Sequence, residues 1–205
     1  MNTIGKLFFQ NTVLNFWNIS ILLFFLTLQA FPQGSIKWSD DDNSYFRIVN
    51  DEIVKYSLPE NNGKVVISKQ QLTPEGNNSS LRVSFYSFSP DKQKVLLYTN
   101  TQRVWRLRTK GDYWVLDLKT NSLTRLGKSL NPSSLMFAKF SPEGKSVAYV
   151  SGNNIYAEDL ATAQIKALTT DGTVTLINGT FDWAYEEEFF CRDGFRWSPD
   201  SKSIA

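Results

Sequence analysis

The chain has 205 residues, of which 41% are hydrophobic and 20% charged, and its formal net charge is +2. That composition belongs to a globular protein with a sizeable core and excludes a disordered chain, while the near balance of charge excludes the single-sign field that draws nucleic acid or an anionic membrane. With no histidine and one cysteine, Cys191, the chain supplies neither a His-based catalytic triad nor a Cys/His zinc site, and neither a metal nor a cofactor is expected.

At the N-terminus Lys6 precedes an apolar run from Phe16 to Leu28, followed by Gln29-Ala30 and Pro32-Gln-Gly34. A charged start, an apolar centre and a small residue at the end describe a signal peptide over 1–30. The run is shorter than the ~20 residues a membrane-spanning helix needs, and a retained anchor is the alternative. Either way 31–205 is expected to be exported, as a periplasmic, secreted or outward-facing anchored domain.

Beyond it a turn motif recurs: Trp38-Ser39-Asp40, Phe88-Ser89-Pro90-Asp91, Phe140-Ser141-Pro142-Glu143 and Trp197-Ser198-Pro199-Asp200. The serines are separated by 50 residues (39 to 89), 52 (89 to 141) and 57 (141 to 198), which are periods of propeller blades. Pro fixes φ in a tight turn, and the flanking Ser and acidic side chains can bond neighbouring backbone.

Strand patterns follow the turns at Lys94–Thr99, Lys145–Val150 and, in part, Lys202–Ala205. Their near-continuous apolar runs fit strands covered on both faces. Asp112–Leu118 with Ser122–Leu126 repeats as Asn154–Leu160 with Gln164–Leu168, which completes four strands per period. Segments 73–80 and 127–134 read as loops, and no sustained helical period follows the leader. Aromatic residues, 14% of the chain, suit stacked sheets. The expected fold class is all-β, a partial β-propeller of about three four-stranded blades. Because the sequence stops at Ala205, inside a strand pattern, it reads as a truncated product.

Between the third and fourth turns the pattern breaks at Asp182-Trp-Ala-Tyr-Glu-Glu-Glu188, followed by Phe189, Phe190 and Cys191. A charge run usually lies on a solvated face. The flanking aromatics argue instead for partial burial, in which case the carboxylates need a cationic partner. Cys191 reads as a small buried hydrophobe, with pairing to a cysteine outside the chain as the alternative.

The segment resembles the Asp-Trp-Val-Tyr-Glu-Glu-Glu motif of the dipeptidyl peptidase IV family, and the blade turns around it resemble that family's propeller. The resemblance implies that Glu187 and Glu188 hold the free N-terminus of a peptide substrate. Glu186 would support them, in an ion pair or at the surface, with Tyr185, Trp183 and Asp182 as further supporting residues. Val104-Trp105-Arg106 ahead of Asp112–Leu118 is similar to the family's Gln-Trp-Arg element, which nominates Arg106 as a ligand for a substrate carbonyl. The other reading is an exposed arginine among Arg103, Arg106 and Arg108.

An α-amino group titrates near ~8, so two carboxylates offer it opposite charge and several acceptors, and an incoming ammonium relieves their mutual repulsion. The resemblance further implies a full eight-bladed propeller and an α/β-hydrolase domain carrying a Ser-Asp-His triad. It implies release of N-terminal dipeptides with Pro or Ala second, and homodimerisation by analogy. The fragment alone would be inactive. A non-catalytic envelope propeller and a tripeptide-releasing relative are the rival readings. Asn77, Asn78 and Asn178 stand in Asn-x-Ser/Thr triplets.

Overall fold

A computed structural model describes residues 36–205; the leader reading of 1–30 falls outside them. Among the described residues there are twelve strands and one short helix. They divide into two compact units, one of 36–47 and Tyr56–Asn62, the other of Ile48–Lys55 and Gly63–Ala205.

Strands β1 (Lys37–Trp38), β2 (Ser44–Val49), β3 (Glu52–Ser57) and β4 (Asn62–Ile67) follow one another in chain order. In the first unit β1 pairs antiparallel with β2, Trp38 opposite Tyr45. Tyr45 stacks on Tyr56 at 5.2 Å between ring centroids and donates its hydroxyl to Asn61 Oδ1 at 2.6 Å.

In the second unit two antiparallel meanders repeat the same plan. The first comprises β5 (Val83–Phe88), β6 (Lys94–Gln102), β7 (Lys110–Asp117) and β8 (Leu123–Arg125). The second comprises β9 (Leu135–Phe140), β10 (Ser146–Ser151), β11 (Asn154–Asp159) and β12 (Ile165–Ala167). They meet where β7 pairs with β9 at Lys110↔Met136 and Gly111↔Leu135. The four-strand period expected from the turn spacing and the repeated strand patterns is therefore present, and the architecture is all-β with the antiparallel sheets of a partial propeller.

The turn motif owes its serine to a specific closure. Ser89 is fully buried; its amide donates to Lys94 O at 2.9 Å and its Oγ accepts from Lys94 N at 2.9 Å while donating to Asp91 at 2.6 Å. That hydrogen bond from Ser89 holds the Asp91 carboxyl below its ordinary range. Ser141 repeats the closure on Ser146, and Ser198 on Ser203.

Two of the three apolar runs are covered on both faces, as their pattern predicts, while Lys202–Ala205 stays partly exposed. Val95, Leu96, Leu97 and Tyr98 of β6 are all buried, and so are Val147 to Val150 of β10. Full burial of each such aliphatic side chain contributes roughly 1.5–3 kcal/mol. A buried polar clamp joins the two meanders: Glu158 Oε2 accepts from Gly127 N and from the Tyr149 hydroxyl, each at 2.8 Å.

Candidate functional site

The strand pattern is interrupted by a loop whose ends are closed on each other. Thr180 and Asp193 form an antiparallel bridge, and Gly194 N donates to Gly179 O at 2.9 Å. Gly179 is at φ +80°, and a Cβ there would lie 2.6 Å from Val150 Cγ2. Only glycine accommodates both the conformation and the close approach to the sheet.

Within this loop Trp183–Glu188 form a helix, α1, of six residues. Sequence periodicity did not reveal it, because one and a half turns show no repeat. The local signal was Asp182, an N-cap whose carboxylate accepts from Tyr185 N at 3.0 Å. Rings pack along one side of the helix, Phe181 stacked on Tyr185 and Phe189 tilted against Tyr185, each pair at 5.6 Å between centroids. A helix this short depends on such support. Asp182→Ala should cost about 1 kcal/mol, read as a lowered urea midpoint; an unchanged midpoint would assign the helix to its ring stack instead.

Steps of about 100° along a helix send three successive carboxylates in three directions. Glu187 turns toward the loop between β6 and β7. Its side chain is only 8% exposed, and its two oxygens take Arg106 Nε at 2.7 Å and Arg106 N at 3.2 Å. Glu188 is exposed and makes no hydrogen bond or ion pair to another described residue. Glu186 is buried at 1% exposure, and its Oε1 has no hydrogen-bond partner. Burial pushes the Glu186 carboxyl above its ordinary value, against the opposing pull of Arg192 and reinforced by Glu187.

Arg106 is set apart from its neighbours by the loop that carries it. Arg108 bonds Thr101 through Nε at 2.7 Å and through a terminal nitrogen, while the Tyr98 hydroxyl donates to Arg108 O at 2.9 Å. Arg103 turns back onto Arg106 O at 3.3 Å. Arg103 and Arg108 thus brace the loop, and Arg106 is the one of the three that reaches Glu187. Its side chain stays 72% exposed, so the pair itself adds only about 0.5–1 kcal/mol to stability.

Three expectations are corrected. Glu186 is neither at the surface nor in an ion pair with a described residue; it is the interior member of the trio, because its helical position faces the protein. The aromatic frame is not what is buried: Trp183, Tyr185, Phe189 and Phe190 are 56%, 51%, 67% and 76% exposed. Cys191 is a free thiol and only half-buried, its Sγ directed at Phe189 O at 3.6 Å, because the chain leaves the helix there toward the surface.

Residues 89–205, more than half of the chain, match the family model described as the dipeptidyl peptidase IV N-terminal region. Dipeptidyl aminopeptidase B of Saccharomyces cerevisiae is 34% identical over 170 residues, which is 82% of this chain and 20% of that protein. A probable dipeptidyl-aminopeptidase B of Aspergillus oryzae is 33% identical over 144 residues, 70% of this chain and 16% of that protein. The crystal structure of Porphyromonas gingivalis dipeptidyl peptidase 4 superposes with a TM-score of 0.72 at 25% identity, covering 83% of this chain and 24% of that one. The chain spans about a fifth of the length of these relatives. With the family model matched over residues 89–205 and the yeast relative 34% identical, the chain belongs to the dipeptidyl peptidase IV family, as part of that family's N-terminal region.

Proposed function

We propose that this chain is the substrate-anchoring part of a serine-type dipeptidyl peptidase. Glu187 and Glu188 receive the α-ammonium of a peptide, and Arg106 faces the adjoining carbonyl. The observation that supports this is the largely buried Glu187 carboxylate, fixed by an ion pair with the Arg106 guanidinium and a hydrogen bond from Arg106 N, at the surface beside the exposed Glu188.

The arrangement alters the electrostatic argument made from sequence alone. The Arg106 guanidinium already compensates Glu187 without a ligand, so relief of carboxylate repulsion is not the main attraction for an ammonium. Pre-organisation takes its place: Glu187 is held in one orientation, and each carboxylate oxygen keeps lone pairs beyond those used by Arg106. Glu188 supplies the uncompensated charge. A peptide gains charge-assisted hydrogen bonds to both.

Bond cleavage is assigned to residues outside this chain, since a Ser-His-Asp triad requires a histidine and the chain has none. Holding the N-terminus at a fixed distance from the nucleophile would select the second peptide bond. The test on the chain itself is calorimetric binding of Ala-Pro-Ala against N-acetyl-Ala-Pro-Ala. The free peptide should bind at least roughly tenfold more tightly, and the difference should shrink in Glu187→Gln and Glu188→Gln. Equal affinity for free and acetylated peptides would remove the ammonium site.

A further inference from the structure

A cavity of about 500 Å³ lies between the two meanders of the second unit, and the glutamates and Arg106 do not line it. Its walls are apolar and aromatic, with Phe85, Tyr98, Tyr113 and Phe137 among them. Tyr98 and Tyr113 stack at 4.6 Å between centroids and are both buried. Phe137 sits at φ +56° where the β9–β10 register shifts. For a bulky side chain that conformation is costly, and bulges of this kind re-aim a side chain beside functional sites.

The charges around the cavity do not cancel. Asp193 is taken up by Lys139 and by Arg196 at 2.9 Å. Arg108 spends its bonds on the uncharged Thr101. Arg192 makes no hydrogen bond or ion pair to any described residue. Two guanidinium groups therefore border an apolar chamber with no carboxylate in contact with either, although the Arg192 charge also acts on the Glu186 carboxyl. The chamber also holds a buried hydroxyl, Thr109 Oγ1, which bonds to no described residue although Thr109 is only 7% exposed. Leaving such a group unpaired costs roughly 1–3 kcal/mol.

We propose that this cavity is a binding site for a small organic carboxylate with an aromatic or branched apolar body. The carboxylate takes the Arg192 and Arg108 guanidinium groups and the Thr109 hydroxyl, and the body packs against the tyrosine stack and Phe137. A planar carboxylate matches the guanidinium fork, and the volume suits a ligand the size of an N-acyl amino acid. The site is separate from the ammonium site and does not depend on it.

The experiment is calorimetric titration of the full chain with N-acetyl-L-phenylalanine, whose blocked amine cannot use Glu187 or Glu188. The carboxylate should bind at least roughly tenfold more tightly than its uncharged amide, and Arg192→Gln should weaken it by about the same factor. Thr109→Val keeps the side-chain volume and removes only a hydroxyl bonded to nothing in the protein. It should weaken binding about threefold while the melting temperature holds or rises. Glu187→Gln should leave the affinity unchanged. Equal binding of acid and amide, an Arg192→Gln variant that binds like wild type, or equally tight binding of inorganic phosphate would each overturn the assignment.

Discussion

Replacing Glu187 by Gln, in the protein that carries this chain together with its catalytic domain, should lower kcat/KM for Gly-Pro and Ala-Pro substrates by about 2–5 kcal/mol, roughly 30- to 5,000-fold. The reasoning starts from placement. Glu187 is largely shielded from water and is held by an ion pair with the Arg106 guanidinium and a hydrogen bond from Arg106 N. Removing its charge takes away the ammonium's most firmly held acceptor and frees the guanidinium beside it, which then repels the incoming cation. Glu188→Gln should act in the same direction with a smaller effect, because that side chain is solvated and its charge screened. The rate on a substrate with a free amine should also decline as pH rises above about 8, where the ammonium is lost. Wild-type hydrolysis by both variants would refute the anchoring role.

The fold was legible because its signals are local and repeated. Each Ser-Pro-Asp or Ser-Pro-Glu turn encodes a hydrogen-bonded closure within five residues, and those at Ser89 and Ser141 are followed by runs apolar enough to be covered on both faces. Turn spacing together with the repeated strand patterns between the turns then gives four strands per period. The sequence nominated the residues of the proposed site and carried no information on their geometry. Spacing cannot bring Arg106 to Glu187 across 81 residues. That meeting depends on the braces Arg103 and Arg108 in one loop and on the N-cap Asp182 in another. The three glutamates look alike in sequence and differ in the structure because a helix of one and a half turns rotates them into the interior, toward Arg106 and into solvent. A strand-like segment would have placed Glu186 and Glu188 on one face. Missing the helix therefore meant misplacing Glu186. The same lack of long-range information hid the cavity, whose aromatic and cationic residues come from separate strands and loops.

Asp112→Ala should destabilise the chain by about 3–5 kcal/mol, the range for removing one partner of a buried charged network. Asp112 is 6% exposed at the start of β7, and its carboxylate gathers four bonds from three places in the chain. Asn100 Nδ2 reaches it at 2.8 Å, Arg125 at 2.9 Å, and Ser133 through N at 2.8 Å and Oγ at 3.2 Å. It thereby ties β6, β8 and the loop entering β9 to the strand that follows the Arg106 loop. Burial pushes the Asp112 carboxyl upward, but the bonds from Asn100 and Ser133 and the charge of Arg125 outweigh it and leave the carboxyl below its ordinary value. A carboxyl depressed in the folded state stabilises fully above its unfolded value of about 3.9, and that contribution is lost as pH falls through the lower folded value. Urea midpoints of wild type and variant should therefore differ most at neutral pH and converge in acid, wild type losing stability more steeply below about pH 4. Parallel curves across that range, or a variant as stable as wild type at pH 7, would mean that the network only replaces the bonds water makes to the same groups in the unfolded chain.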